Sequence, residues 1–223
     1  MTLLVSLLAA MLLSALASAL LLATMAEVQI AAAFGRSAEV FHAADGGVER
    51  AIQDLDGLTS WTAVLDGSIV SSFTDGAPAG PRTLPGGGAI DLTTLTNMVR
   101  CGKASACGMA DLNSITAERP WGINNPQWRL FAYGPLDALL ADGSVRSPTY
   151  VVVWVGDDPA ERDGLPLVDG APNVDGTANP GRDVVVLLAQ AYGPSGSRHV
   201  VEVTVSRVEA GHARILAWRE IRQ

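Results

Sequence analysis

The chain begins with 26 residues that carry no charge. Met1–Ala26 reads MTLLVSLLAAMLLSALASALLLATMA, and Glu27 is the first ionisable side chain. A bilayer-spanning helix takes about 20 apolar residues, so this stretch is long enough to cross a membrane. A cleaved secretory signal would instead open with a basic region and a shorter apolar core of about 7–15 residues. No Lys or Arg precedes the apolar run here. The start therefore reads as a processed mature N-terminus, or as a signal anchor lacking its positive flank.

The helical pattern continues beyond the apolar run. There is no proline from Glu27 to Leu55. Ile30, Phe34, Phe41, Ala44, Val48, Ile52 and Leu55 recur at steps of three, four or seven, which puts them on one face of a helix. Arg36, Glu39, Glu49, Arg50, Gln53 and Asp54 fall largely elsewhere. Gly35, Gly46 and Gly47 lower helix propensity by up to about 1 kcal/mol each, and they mark bends or close packing. A helix over residues 1–56 would be roughly 84 Å long. Residues 1–26 form its apolar membrane or core segment. Residues 27–56 carry an amphipathic stripe that needs a surface to cover it, with Phe34, Phe41, Val48, Ile52 and Leu55 expected against the head.

The remainder, 57–223, reads as a β-rich extracytoplasmic head. Strands are expected at 127–133, 149–155, 184–192, 199–208 and 212–221. They alternate or run β-branched and are punctuated by Gly193-Pro194 and Gly211. A largely antiparallel sheet of four or five strands follows, packed over the stripe. Residues 57–88 are rich in loop formers, and 91–98 suits a short helix. The segment GAPAGPRTLPGGGA (76–89) reads as an exposed loop. No Lys-Ser/Thr follows its glycines, so it does not match a phosphate cradle.

The 223 residues carry a net charge of −8, and the pI is about 4.8. No basic stripe exists to neutralise phosphates, which excludes nucleic-acid binding as the expected function. The two cysteines lie in CGKASAC, with five residues between them. A redox C-x-x-C pair has two, and none of the three histidines (His42, His199, His212) is near in sequence to complete a zinc set. With the head outside the cytoplasm, a Cys101–Cys107 disulfide is expected.

The segment 156–182, GDDPAERDGLPLVDGAPNVDGTANPGR, separates two strands and is longer than most structureless loops. Its first reading is a solvated, turn-rich loop. Two functional readings stand beside it, partner docking and calcium. Asp157, Asp158, Glu161, Asp163, Asp169, Asp175 and Asn179 offer hard oxygen ligands, although no EF-hand spacing is present. Apart from this weak calcium possibility no cofactor or metal is expected. No G-x-S-x-G or H-E-x-x-H spacing appears. His199 and His212 read as strand-end residues and no enzymatic activity is expected. Trp61, Trp121, Trp128, Trp154 and Trp218 read as core anchors.

The uncharged start, its continuation into an amphipathic helix, and FHAADGGVERAIQDL (41–55) together resemble type IV pilins and pseudopilins. The last segment is similar to the A-x-x-A-A-E-A-G-x-E-R-A signature of PilX-like minor pilins, with Asp45 in the usual Glu position. YVVVWVGDDPAERDG, NPGRDVVVLLAQAYGPSGSRHVVEVTVSRV and RILAWREIR resemble the sheet and C-terminus of the same group. The resemblance implies an α+β, pilin-like lollipop: one very long N-terminal helix with an antiparallel head on its C-terminal half. It implies processing by prepilin peptidase and methylation at Met1. The chain would reside in the inner membrane before assembly and at the cell surface in the pilus afterwards. The implied partners are other minor pilins, the major pilin and a tip adhesin, in support of adhesion and twitching motility. Major pilins of the family carry a glutamate at the fifth mature position, thought to pair with a neighbour's N-terminal amine. This chain has Val5, which suits a priming subunit at the filament tip. Three alternatives stand beside it: a type II secretion pseudopilin of the tip complex, a signal-anchored periplasmic binding protein outside any filament, and an anchored enzyme with a pocket in the head.

Overall fold

A computed structural model describes residues 1–139, 146–172, 175–208 and 212–221. The chain divides into two compact units, Met1–Glu39 and Val40–Gln223. Helix α1 runs from Thr2 to Leu55, which matches the expected helix and gives the chain its α+β architecture. In the first unit it is exposed from Met1 to Arg36.

In the second unit, α1 residues from Val40 onward cover one face of a five-stranded antiparallel sheet. The strands are β3 (Arg129–Pro135), β4 (Tyr150–Asp157), β5 (Val184–Tyr192), β6 (Arg198–Arg207) and β7 (Ala213–Glu220), paired in sequence order. Each lies within two residues of its expected position at either end. The turn read at Gly211 lies outside the described residues. The core on this face joins Val40, Ala43, Ala44, Val48, Ala51 and Leu55 of α1 to Val151, Val153, Val155, Leu187, Val203 and Val205 of the sheet. Small residues make the approach close. A Cβ on Gly47 would stand 2.4 Å from Val151 Cγ1 and 3.2 Å from Val153 Cγ2. Gly47 is thus a packing residue. Nothing lies within 4 Å of a Cβ placed on Gly35.

Two expectations need correction here. Phe34 is 74% exposed and outside the core. The covered stripe begins at Val40, and Phe41 and Ile52 join it as partly buried flanking residues. The 76–89 segment is not a plain loop. It forms a hairpin of β1 (Pro81–Thr83) and β2 (Ala89–Asp91). Asp91 then caps α3 (Leu92–Cys101), accepting from the Thr94 N–H at 2.7 Å; an N-cap of this kind typically contributes about 1 kcal/mol. Residues 57–88 also hold the single-turn α2 (Thr62–Leu65).

The hairpin and α3 cover the second face of the sheet. Leu92 is buried with Tyr133, Tyr150, Val152, Trp154, Leu188 and Val200, flanked by Ile90, Leu95 and Val99. The Trp154 indole N–H donates to Thr96 Oγ1 at 2.9 Å. This two-sided cover explains why TYVVVWV is apolar at every position: β4 is buried throughout. Cys101, the last residue of α3, is disulfide-bonded to Cys107, ahead of the single-turn α4 (Met109–Leu112).

Candidate functional site

Two regions carry the sequence-predicted functional residues, one in each unit. In the first unit, Met1 and Val5 are exposed, at 110% and 64%. An 18-residue window of α1 has a mean hydropathy of 2.4 with none of it buried, so the helix is long and apolar enough to cross a membrane. Four of its hydroxyls are satisfied within the helix. Ser6 donates to the Leu3 carbonyl, Ser14 to Ala10, Ser18 to Ser14 and Thr24 to Leu21, each at 2.9 Å. In lipid an unsatisfied polar group costs several kcal/mol, and back-bonding to the preceding turn removes most of that penalty.

The 41–55 segment is built for packing in the second unit. Its alanines and Gly47 face the sheet, and its polar residues fasten the rim. Asp45 accepts from the Trp218 indole N–H at 3.2 Å, and Phe41 meets Trp218 edge-on at 5.7 Å. Arg50 pairs with Asp54 at 3.2 Å and donates to Ser72. An open cleft of about 340 Å³ lies beside it, lined by Arg50, Ser72, Phe73, Asp75, Gly134 and Leu139. Its guanidinium is already engaged by Asp54.

The 156–182 loop departs from the solvated reading. Asp157, Glu161 and Asp163 are 2%, 2% and 7% exposed. The seven candidate ligands do not converge on one point. Asp158 binds the Ala160 N–H of its own turn at 2.9 Å. Asp175 is exposed and accepts from Thr177 Oγ1 at 2.6 Å, which holds its carboxyl below the usual carboxylate range. Asp169 is a tether. It accepts from the Asp183 N–H at 2.8 Å and the Trp61 N–H at 3.4 Å, with Arg207 at 3.8 Å. Trp61 in turn donates to the Leu55 carbonyl at 3.3 Å, capping the end of α1. Burial nevertheless raises the Asp169 carboxyl.

Asp157, Glu161 and Asp163 remain. Asp163 Oδ1 accepts from the Leu165 N–H at 2.8 Å. Glu161 Oε2 accepts from Asn179 Nδ2 at 2.8 Å. Glu161 and Asp163 stand within hydrogen-bonding reach of each other. Asp157 Oδ1 and Glu161 Oε1 are buried without a hydrogen-bond partner. Burial, followed by the Glu161 charge, pushes the Asp157 carboxyl up to about 9. Burial and the neighbouring Asp163 push Glu161 up to about 7, against the Asn179 bond that lowers it. Among the described residues, no three His, Cys, Asp or Glu side chains are placed to hold a metal ion together.

His199 pairs with Glu220 at 2.9 Å, and His212 with Asp56 at 3.3 Å. Trp61 and Trp154 are fully buried, whereas Trp121 and Trp218 are 42% and 44% exposed. Trp121 and Trp218 are therefore not the core anchors they were expected to be.

No family model matches the chain, and no curated protein or solved structure matches it.

Proposed function

We propose that this chain is a minor pilin of the PilX-like kind, which helps initiate a type IV pilus and sits at or near its tip. One observation carries the reading. A single helix, Thr2–Leu55, is apolar, uncharged and internally hydrogen-bonded over its first half, and buries small residues against a sheet over its last sixteen positions, Val40–Leu55. The first half suits both lipid and a filament core, because neither solvent tolerates unpaired polar groups. Ala9, Ala10, Ser14, Ala15, Ala17 and Ser18 permit close helix approach there. Two sequence features add support. FHAADGGVERAIQDL resembles the PilX-like signature, and Met1–Ala26 offers no carboxylate to pair with a neighbouring subunit's amine.

The reading assigns the protein to the inner membrane before assembly and to the cell surface afterwards. It makes prepilin peptidase, the major pilin, other minor pilins and a tip adhesin its partners. Deletion of the gene, followed by filament counting and twitching assays, tests it: few filaments and lost motility are expected, and wild-type piliation with normal motility would sink the priming role. The tip position further requires Met1 to lead the mature chain, which intact mass and N-terminal sequencing establish. Substituting Val5→Glu should then spread the protein from filament ends along the shaft, visible by immunogold labelling.

A further inference from the structure

We infer that two arms of the 156–182 loop, residues 157–163 and 179–181, form a proton latch: they close over Asp157, Glu161 and Asp163 while these carboxyls hold protons, and part as the protons leave. The inference goes beyond the pilus reading and does not depend on it. It starts from the way the arms meet. Asp157 ends β4 and opens the first arm. The second arm returns toward β5 through Asn179 and Gly181. A Cβ on Gly181 would lie 2.3 Å from Glu161 Cγ and 3.0 Å from Asp158 Cβ, so the arms touch where only glycine fits. Asn179 Nδ2 donates to Glu161 Oε2 and to the Ala171 carbonyl, each at 2.8 Å. Asn179 Oδ1 accepts from the Gly181 N–H at 3.0 Å. The amide thus uses both its hydrogens and fills the point where the oxygens converge.

The carboxyl oxygens left over carry the second observation. Asp157 and Glu161 are each 2% exposed, and Asp157 Oδ1 and Glu161 Oε1 have no hydrogen-bond partner. Glu161 and Asp163 stand within hydrogen-bonding reach of each other. Ionised carboxylates only accept, so that contact is favourable when one of the two carries a hydrogen. A buried charge without a partner is strongly unfavourable, and a group so placed neutralises instead. The surrounding charges offer no substitute. Asp158 and Asp169 add negative charge. Arg207 faces Asp183 and stands 3.8 Å from Asp169. Arg182 is exposed and lies 3.8 Å from Asp183, and Arg162 is exposed. The 122–124 turn contributes only Asn124, which accepts from the Gly164 N–H at 2.9 Å. Among the described residues no cation is bonded to Asp157, Glu161 or Asp163.

Burial sets the direction. It is the main cause that pushes Asp157 up to about 9 and Glu161 up to about 7. With the arms open, both carboxyls meet water and titrate near pH 4. Support for the closed arms is therefore whole below about pH 4. It is lost as pH rises to about 7 for Glu161 and to about 9 for Asp157. Each proton released on opening makes the opening constant rise about tenfold per pH unit. Asp169 lies outside the latch. Bonded by the N–H groups of Asp183 and Trp61, it tethers the loop to the domain whether the arms are closed or open.

The test uses the full chain in detergent and reads amide hydrogen exchange, with rates corrected for the intrinsic effect of pH. The amides of Glu161, Gly164 and Gly181 are hydrogen-bonded in the closed loop. Their protection should fall at least about tenfold per pH unit between about pH 5 and 7, and level off above about pH 9. Val153 and Leu187, paired strand residues of β4 and β5, should keep theirs. Asp157→Asn combined with Glu161→Gln should keep the three loop amides protected at about pH 9, and either substitution alone should roughly halve the slope between about pH 5 and 7. Asp175→Asn, on the exposed turn, should follow wild type. Equal protection of the wild-type loop at about pH 5 and about pH 9 would overturn the inference, and that measurement needs no variant. A loss with pH that persists in the double variant would overturn it as well. So would loop amides already unprotected in the double variant at about pH 5 with the strands intact, since carboxylates would then be holding the arms together.

Discussion

Asp157 ends β4 with a carboxyl almost wholly removed from water and one oxygen without a partner. Burial chiefly, and the Glu161 charge next, raise it from 3.8 to about 9. A carboxyl raised on folding favours the folded state while protonated. Its contribution is whole below the unfolded value near pH 4 and is lost as pH climbs toward about 9. The expected consequence is that Asp157→Asn, nearly the same shape without the acid, stabilises the protein at about pH 8 by on the order of a few kcal/mol. Near pH 4 the gain should vanish. Denaturant melts of both proteins at the two pH values check this. A gain equal at both would show that the Asp157 carboxyl titrates alike in the folded and unfolded chain, and a loss at about pH 8 would show that its carboxylate is needed. Nothing in GDDPAERDG marks Asp157 or Glu161 as buried. Asp, Gly and Pro announce turns, and a turn in water and a turn folded over its own carboxyls share one composition. Asn179 was among the possible ligands, but its role as the common partner of Glu161 and Asp163 depends on a contact across 16 to 18 residues that no local pattern encodes.

Long periodic elements were legible, and short or two-sided ones less so. VVVLLAQAY was readable as β5 because it opens on three β-branched valines and closes on a tyrosine before the Gly193-Pro194 turn. The β1–β2 hairpin was hidden because its three-residue strands sit among Gly and Pro that read as loop. The sequence shows the helix stripe but not its onset, which lies at Val40. Periodicity records which face is apolar and does not record where the sheet begins, so Phe34 looked equivalent to Phe41. Gly35 and Gly47 likewise look alike in sequence and differ in surroundings. Gly47→Ala puts a methyl against the β-branched, fully buried Val151 and should destabilise by about 1–3 kcal/mol, less up to about 1 kcal/mol of gained helix propensity. Gly35→Ala meets nothing and keeps only that gain. Thermal melts of the two variants should therefore move in opposite directions, and a stabilised Gly47→Ala would mean that α1 does not approach the sheet this closely.

At the scale of the whole molecule, the chain joins segments suited to two different solvents. The second unit buries an apolar core on each face of its sheet and keeps most of its ion pairs partly exposed, as a domain in water does. The first unit exposes Leu3, Leu4, Leu8, Leu12, Leu13, Leu16, Leu20 and Leu22, each at least 56%. In water such a surface is a large unfavourable area at about 25 cal/mol per Å²; in lipid or among other apolar helices it is neutral. A membrane anchor is therefore the physical state this segment fits. Leu12 is 71% exposed and belongs to neither core. Leu12→Arg puts a charge near the middle of the apolar run, and insertion should become about 2.5–3.5 kcal/mol less favourable, on the order of 100-fold in partitioning. In the fraction that still inserts, the head should be untouched, with the Cys101–Cys107 bond formed. Membrane fractionation with alkaline extraction reads the first effect, and thiol labelling reads the second. Full retention of Leu12→Arg in the membrane would mean that anchoring does not depend on this run. Loss of the disulfide in the fraction that stays in the membrane would mean that the substitution disturbs the head.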